Sequence, residues 1–335
     1  MLQVRVHGPG DVRVDEVATP DPGSRDAVVR VAACGICGSD LSYIKRGGVF
    51  GPGRDPMCLG HEMAGVVDWV GADVATVGVG DRVVVHPGND ELGRIGSGGV
   101  EGGLTPLLLV REAARGGRLF PVPHDLPLEV AALAEPLAVG MHAVDQAQVE
   151  PGESVAVFGC GPIGLAAIAT LVDRGHENVV AVDMSRTRLE LARGLGAHAF
   201  HATEDDVWSE LARAHGTKPS LLGPTPATNV FIEASGAPAV IKDVLDRGPV
   251  GGRMVVVALH YGAVPISFIM LLMKEFTIRG AMEYPSRFEN AIELLARQDL
   301  SRVITHRFPL DQFDTALAVL DDSKDCGKVL VTIDG

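Results

Sequence analysis

Basic residues are in short supply: 29 lysines and arginines face 43 aspartates and glutamates, a formal charge of −14. Such a surface repels a phosphate backbone, so nucleic acid is excluded as an expected partner. Cysteine is sparse too. Cys34, Cys37, Cys58, Cys160 and Cys326 form an odd, irregularly spaced set that does not read as a disulfide framework, which leaves reduced thiols and a possible metal ligand. No internal repeat or low-complexity tract occurs. The opening residues alternate as a strand does and lack the continuous apolar stretch of a secretory signal, so the cytoplasm is the expected location. Residues 154–172 carry no charge and are about as long as a membrane span, yet Gly159, Gly161, Pro162 and Gly164 would break a helix there. A buried strand, a tight turn and a buried helix explain the stretch, and no membrane association is expected.

What is present is enough apolar residue, 46% of 335, to build two cores. Up to about residue 120 the chain reads as short β-branched runs separated by Gly, Pro and Asp, an all-β region. From residue 154 strands and helices alternate: a strand at 155–158, a helix to 173, a strand at 179–183, a helix at 186–195, and further strands at 230–233, 254–258 and 277–280. That alternation implies parallel strands with helical crossovers, an α/β doubly wound sheet. The stretch between His215 and Asn229, rich in Gly and Pro, is expected to be a surface loop. Beyond Gly280, helices at 288–297 and 310–320 and a strand at 328–333 lack a dinucleotide motif and are expected to complete the first domain.

Gly159-Cys160-Gly161-Pro162-Ile163-Gly164 directly follows the strand at 155–158 and opens an apolar helix. The first glycine permits a tight turn, the second lets backbone approach a pyrophosphate, and the third permits close helix packing. Nineteen positions beyond Gly164 stands Asp183, at the end of the next strand, where a carboxylate accepts from ribose hydroxyls and repels a 2′-phosphate. NAD is therefore expected over NADP. Arg186 and Arg188 lie nearby and weaken the exclusion; Arg188 is counted among the candidate cofactor contacts.

A second constellation joins Cys37, in Cys34-Gly35-Ile36-Cys37-Gly38-Ser39-Asp40, to His61-Glu62 and to Glu135 in Leu133-Ala134-Glu135-Pro136-Leu137. Thiolate, imidazole and carboxylate suit an open zinc site with room for water or substrate. Cys34 and Cys37 could instead be a redox pair, but that chemistry sits near an early β-α-β unit, which an all-β region does not supply.

The order Cys-Gly-Ile-Cys-Gly-Ser-Asp, Gly-His-Glu, Glu-Pro-Leu, Gly-x-Gly-x-x-Gly resembles the zinc-dependent medium-chain dehydrogenases, over nearly the whole chain. The nearest flavour is the sorbitol, threonine and butanediol dehydrogenase branch, which has glutamate at the junction motif. This resemblance implies a GroES-like β-rich catalytic domain, 1–147 with 285–335, and a Rossmann nucleotide-binding domain, 148–284. It makes Cys37 and His61 metal ligands, Glu62 a direct or exchangeable ligand and Glu135 direct or through water. Ser39 would touch the substrate hydroxyl and Asp40 would orient the ligand histidine. Cys34 would be structural. Two departures stand out. No cysteine occurs between Cys58 and Cys160, so the four-cysteine structural zinc lobe of many relatives, expected within 86–103, cannot form, leaving one catalytic zinc. Ser42 stands where relatives often have a relay histidine, so Ser42, Tyr43 or water would pass the proton.

The implied activity is zinc- and NAD-dependent oxidation of a secondary alcohol, polyol, vicinal diol or amino alcohol to the ketone. Tyr43, Phe50 and Leu271 are candidates for shaping the pocket. The apolar segment 265–276 suits either a subunit interface or a buried crossover helix, and the resemblance favours a homodimer or homotetramer. Two other readings compete: a zinc-free quinone-type reductase on the same fold, which lacks the Cys, His and Glu set, and a non-catalytic nucleotide-binding protein.

Overall fold

The β-branched runs of the amino-terminal region fold as strands in a computed structural model that describes residues 1–88, 93–220, 223–322 and 325–333. The chain divides into two compact units, Met1–Glu135 with Glu289–Gly335 and Pro136–Phe288. The first unit opens with β1 (Leu2–Gly8), β2 (Asp11–Glu16) and β3 (Ala27–Ile36), then helix α1 (Gly38–Arg46). Strands β4 (Met57–Cys58), β5 (Glu62–Val70), β6 (Arg82–Val85), β7 (Leu107–Val110) and β8 (Leu119–Pro121) follow, with a short α2 (Leu128–Ala131).

Helix α1 corrects the all-β reading of this region. Its start is fixed by Asp40, whose Oδ2 accepts from the Cys37 N–H at 2.9 Å, and its end by Gly47, at φ +78°, with Lys45 and Arg46 in the last turn. Local end signals therefore make the helix, rather than an apolar stripe that periodicity would reveal: only Asp40 and Ile44 are buried in it.

Helix α3 (Ala134–Ala147) leads into the second unit, where β9 (Val155–Phe158), α4 (Pro162–Asp173), β10 (Val179–Asp183), α5 (Arg186–Gly194), β11 (His198–His201) and α6 (Val207–His215) alternate. A two-residue ladder of β12 (Thr217–Lys218) and β13 (Thr225–Pro226) replaces the expected plain loop; Pro219 and Pro224 flank it and stop it from growing, and residues 221–222 lie outside the described residues. Then come β14 (Val230–Glu233), α7 (Pro238–Arg247), β15 (Arg253–Val256), α8 (Phe268–Lys274) and β16 (Thr277–Gly280). The sheet is parallel, in the order β11-β10-β9-β14-β15-β16. The chain runs outward from β9 through β10 and β11, then returns to β14 on the other side of β9, and that reversal is where such sheets bind ligands.

The uncharged stretch 154–172 is β9, a turn and α4, with Gly164 through Leu171 buried. Among the described residues no helix is long and apolar enough to cross a membrane. Phe158, Trp208, Phe231 and Phe276 pack ring to ring in this core, at centroid separations of 6.2–6.5 Å. Side chains of this kind contribute roughly 1.5–3 kcal/mol each on burial. Helix α8 is not the buried crossover helix that its composition allowed: Phe268, Ile269 and Leu272 are 73%, 61% and 69% exposed.

The chain re-enters the first unit with α9 (Glu289–Arg297), β17 (Ile304–Pro309), α10 (Phe313–Asp322) and β18 (Lys328–Thr332). Strand β18 pairs antiparallel with β3, giving a sheet ordered β17-β18-β3-β5-β6-β8, with β7 also on β3. A smaller sheet is ordered β2-β1-β4. Val29, Val31, Met63, Val83, Val329, Val331 and Phe313 are fully buried in this unit's core.

Candidate functional site

The end of β3 and the start of β5 lie side by side, with Gly35 opposite Glu62. Cys37 follows β3 at the head of α1, and His61 immediately precedes β5. Cys37 Sγ, a His61 ring nitrogen and a Glu62 carboxylate oxygen consequently lie within 4.8 Å of one another. His61 and Glu62 are buried, while Cys37 is half-buried. Asp40, also fully buried, bonds the Cys37 N–H through Oδ2, while its Oδ1 stands 3.5 Å from His61 Nδ1. Neither Oδ1 nor Nδ1 has a hydrogen-bond partner. Two orphaned buried atoms facing each other fit a site in which the other ring nitrogen is claimed by a metal and Asp40 orients the ring. Ser39 Oγ lies 3.4 Å from that nitrogen, His61 Nε2.

The electrostatics agree with a site built for a cation. Burial pushes the His61 imidazole towards its neutral form, but the charge of Asp40, the hydrogen bond and charge of Cys37 and the charge of Glu135 together hold it well above its ordinary value. Asp40 is raised by burial, against the charge of His61. The donor set of thiolate, imidazole and carboxylate suits zinc.

Sequence reasoning missed Lys328. Its Nζ donates to Glu62 Oε1 and Oε2, each at 2.6 Å, and to the Ile36 carbonyl at 3.2 Å, with lysine and glutamate both essentially inaccessible to solvent. Burial lowers the ammonium's proton affinity, and the charges of Glu62, Cys37 and Glu135 more than reverse this, so it is held above its ordinary value. Glu62 lies against Gly35 so closely that a Cβ there would fall 1.9 Å from Oε2. The available signal was the strand Lys-Val-Leu-Val-Thr, buried over its first four residues: a charge heading a buried run needs a partner. Glu135 is buried and its charge reaches His61 and Lys328, but it stands outside the three-residue cluster.

Of the relay candidates, Tyr43 is raised by burial and hydrogen-bonds Ser39, whereas Ser42 Oγ donates to the Gly38 carbonyl at 3.4 Å. Phe50 is fully exposed, on a groove that it lines with Val49, Met57 and Val100. Leu271 belongs to the second unit, where it packs against the aromatic core. Of the cysteine-free segment 86–103, residues 89–92 lie outside the described residues.

In the second unit the glycines of the turn after β9 occupy three different settings. Gly159 adopts φ +91°, and a Cβ there would meet Ser235 backbone at 2.6 Å. Gly161 caps α4, with Pro162 and Ile163 in the first turn, and open space lies where its side chain would be. A Cβ on Gly164 would fall 1.8 Å from the Gly159 carbonyl oxygen. Asp183 braces the turn: Oδ2 accepts from Cys160 N at 2.6 Å and Oδ1 from Ser185 N at 2.7 Å, leaving each oxygen a further lone pair for a ribose hydroxyl. Arg188 donates its backbone N–H to the Ser185 cap, and Arg186 pairs with Glu204.

Comparison with known proteins gives the family. Residues 23–124 match the alcohol dehydrogenase GroES-like domain and residues 162–297 the zinc-binding dehydrogenase family. A sorbitol dehydrogenase of Pongo abelii is 34% identical over 330 residues, covering 93% of this chain and 90% of the relative. An (R,R)-butanediol dehydrogenase of Bacillus subtilis (strain 168) is 30% identical, covering 99% of both. The crystal structure of 2R,3R-butanediol dehydrogenase from Bacillus subtilis superposes with a TM-score of 0.88 at 29% identity, covering 99% of each chain. The resemblance and the fold class read from the motifs are thereby borne out: this chain is an oxidoreductase of the zinc-dependent, alcohol dehydrogenase-like medium-chain family.

Proposed function

We propose that this enzyme oxidises a secondary hydroxyl of a polyol or vicinal diol to the ketone with NAD, in the cytoplasm, and runs the reverse reduction under the opposite substrate ratio. The observation that carries the reading is the Cys37–His61–Glu62 cluster, with His61 and Glu62 buried and Asp40 behind His61. The sorbitol and butanediol dehydrogenases among its relatives support the substrate class, and an odd, irregularly spaced set of five cysteines fits a reducing compartment.

Lewis acidity at an alcohol oxygen is the chemistry that one zinc supplies when bound, and hydride acceptance that of NAD. Cys37 and His61 would hold the metal, with Glu135 as a further ligand directly or through water. Glu62 tunes the site from the Lys328 ion pair and stays available as an exchangeable ligand. Asp40 orients His61, while Ser39 takes the substrate hydroxyl and passes its proton towards Tyr43; Ser42 is the less favoured route because it is turned to Gly38. We assign the metal to the unit of Met1–Glu135 and Glu289–Gly335 and the dinucleotide to Pro136–Phe288. In the latter, Gly159, Gly161, Pro162, Ile163 and Gly164 bind the pyrophosphate, and Asp183 and Arg188 hold the adenosine side. Engagement of Arg186 by Glu204 removes one cation from a 2′-phosphate, which supports NAD over NADP.

A screen of NAD reduction over polyols, vicinal diols, amino alcohols and simple secondary alcohols tests this. The highest kcat/KM is expected on a polyol or vicinal diol; turnover of quinones or enones by metal-free protein would contradict it. We further propose a homodimer or homotetramer, supported by the exposed Phe268, Ile269 and Leu272 of α8 beside the sheet-edge strand β16. Sedimentation showing a stable monomer at micromolar concentration would reject that assembly.

A further inference from the structure

The second unit contains an acid–imidazole pair, its acid buried, that the chemistry above does not use. Glu233, the last residue of β14, is 1% exposed. Its Oε1 accepts from Ser235 N at 2.9 Å, Ser235 Oγ at 2.6 Å and Gly236 N at 2.8 Å, which folds the loop after β14 back on its own strand. Its Oε2 takes His260 Nε2 at 2.8 Å, from the loop after β15. A carboxylate only accepts, so this contact makes Nε2 the donor and leaves Nδ1 as the uncommitted nitrogen. Nδ1 is buried and has no partner.

The place of this pair is informative. Ser235 sits where a Cβ on Gly159 would touch it, and a Cβ on Gly236 would meet Ala258 and Leu259 at 3.8 Å. The glycine turn after β9, the loop after β14 and the loop after β15 therefore form one continuous rim at the carboxyl ends of the parallel strands. Asp183 and the glycine turn lie on the β9–β10 side of the reversal in strand order. His260 lies on the opposite side, its ring held on Glu233 of β14, the strand that pairs with the other edge of β9. A dinucleotide laid across that crevice, with its pyrophosphate at Gly161, puts its adenosine over β10 and its other nucleoside over β14 and β15.

We propose that His260 is a binding contact for the nicotinamide riboside half of the cofactor. Its Nδ1 accepts a hydrogen bond from a donor of that half, and Glu233 is the positioning residue that fixes the ring and its tautomer. This rests on the dinucleotide reading given above.

Isothermal titration of wild type, His260→Ala and His260→Phe with NADH and with ADP tests it, because ADP carries the adenosine and pyrophosphate without the nicotinamide riboside. His260→Phe keeps a ring in the loop if His260→Ala loosens it. The expected result is NADH binding weakened about 3- to 10-fold in both variants, the scale of one lost hydrogen bond, with ADP binding held within about twofold. NADH affinity unchanged in the variants, or NADH and ADP weakened equally, would overturn the proposal while leaving the dinucleotide site intact. Wild-type protein that binds neither ligand would overturn the dinucleotide reading, and the proposal with it.

Discussion

Lys328 reaches Glu62 across strand β3, over Gly35, although 266 positions separate the two in sequence. The register makes this possible: Val329 lies opposite Ile36, and Gly35 opposite Glu62, so a lysine one residue before Val329 can extend past the only residue type that leaves the space clear. Removing the ammonium strands a fully buried carboxylate beside Cys37 and His61. Lys328→Met is expected to destabilise the protein by about 3–5 kcal/mol, and Lys328→Met/Glu62→Leu to recover much of that loss, because an apolar pair carries no unpaired charge. Chemical denaturation of wild type and both variants checks it. A single variant as stable as wild type would show that the pair is dispensable.

Thiol chemistry separates Cys37 from the other cysteines. Burial pushes the thiols of Cys34, Cys58 and Cys160 up, away from the nucleophilic thiolate, whereas Cys37 is the cysteine with partial access to solvent. In metal-stripped protein iodoacetamide is expected to label Cys37 first, and reloading with zinc is expected to protect it. Peptide mass mapping reads the site; identical labelling with and without zinc would remove Cys37 from the ligand set.

His215 gives the second unit an acid-sensitive element. Burial, helped by the charge of His198 and opposed by a hydrogen bond with Asn178, pushes its imidazole from 6.5 down to about 4. Between those values the unfolded chain holds a proton that the folded chain does not, so this contribution is complete above pH 6.5 and shrinks as pH falls towards 4. Denaturation midpoints at about pH 7 and about pH 5 should differ less in His215→Gln than in wild type. An unchanged difference would show that other groups govern the acid limb.

How far these features were legible in the sequence follows from how local their causes are. The glycine turn, its strand and Asp183 lie within a few dozen residues and obey a period that short-range sterics impose, so they could be read directly. Cys37, His61 and Glu62 could be read as ligand types, but the ion pair that engages Glu62 could not, because it depends on the register of β18 on β3 and of β3 on β5, set by contacts remote in sequence. Helix α1 was hidden because its signals are a cap and a terminal glycine inside a β-branched context. The unit boundary at Glu135 and Pro136 falls inside the continuous helix α3, where no loop marks it. The exposure of α8 could not be read from composition, since an apolar helix suits a core as well as a surface.

The central claim is that Cys37 and His61 hold one zinc per chain that the reaction needs. Elemental analysis and steady-state rates on the same preparations of wild type and His61→Ala test it most directly. The account predicts close to one zinc per chain in wild type and the loss of both metal and activity in His61→Ala, since an open site has no ligand to spare. A His61→Ala enzyme that keeps its zinc and its rate, or wild type with full activity and no metal, would contradict it.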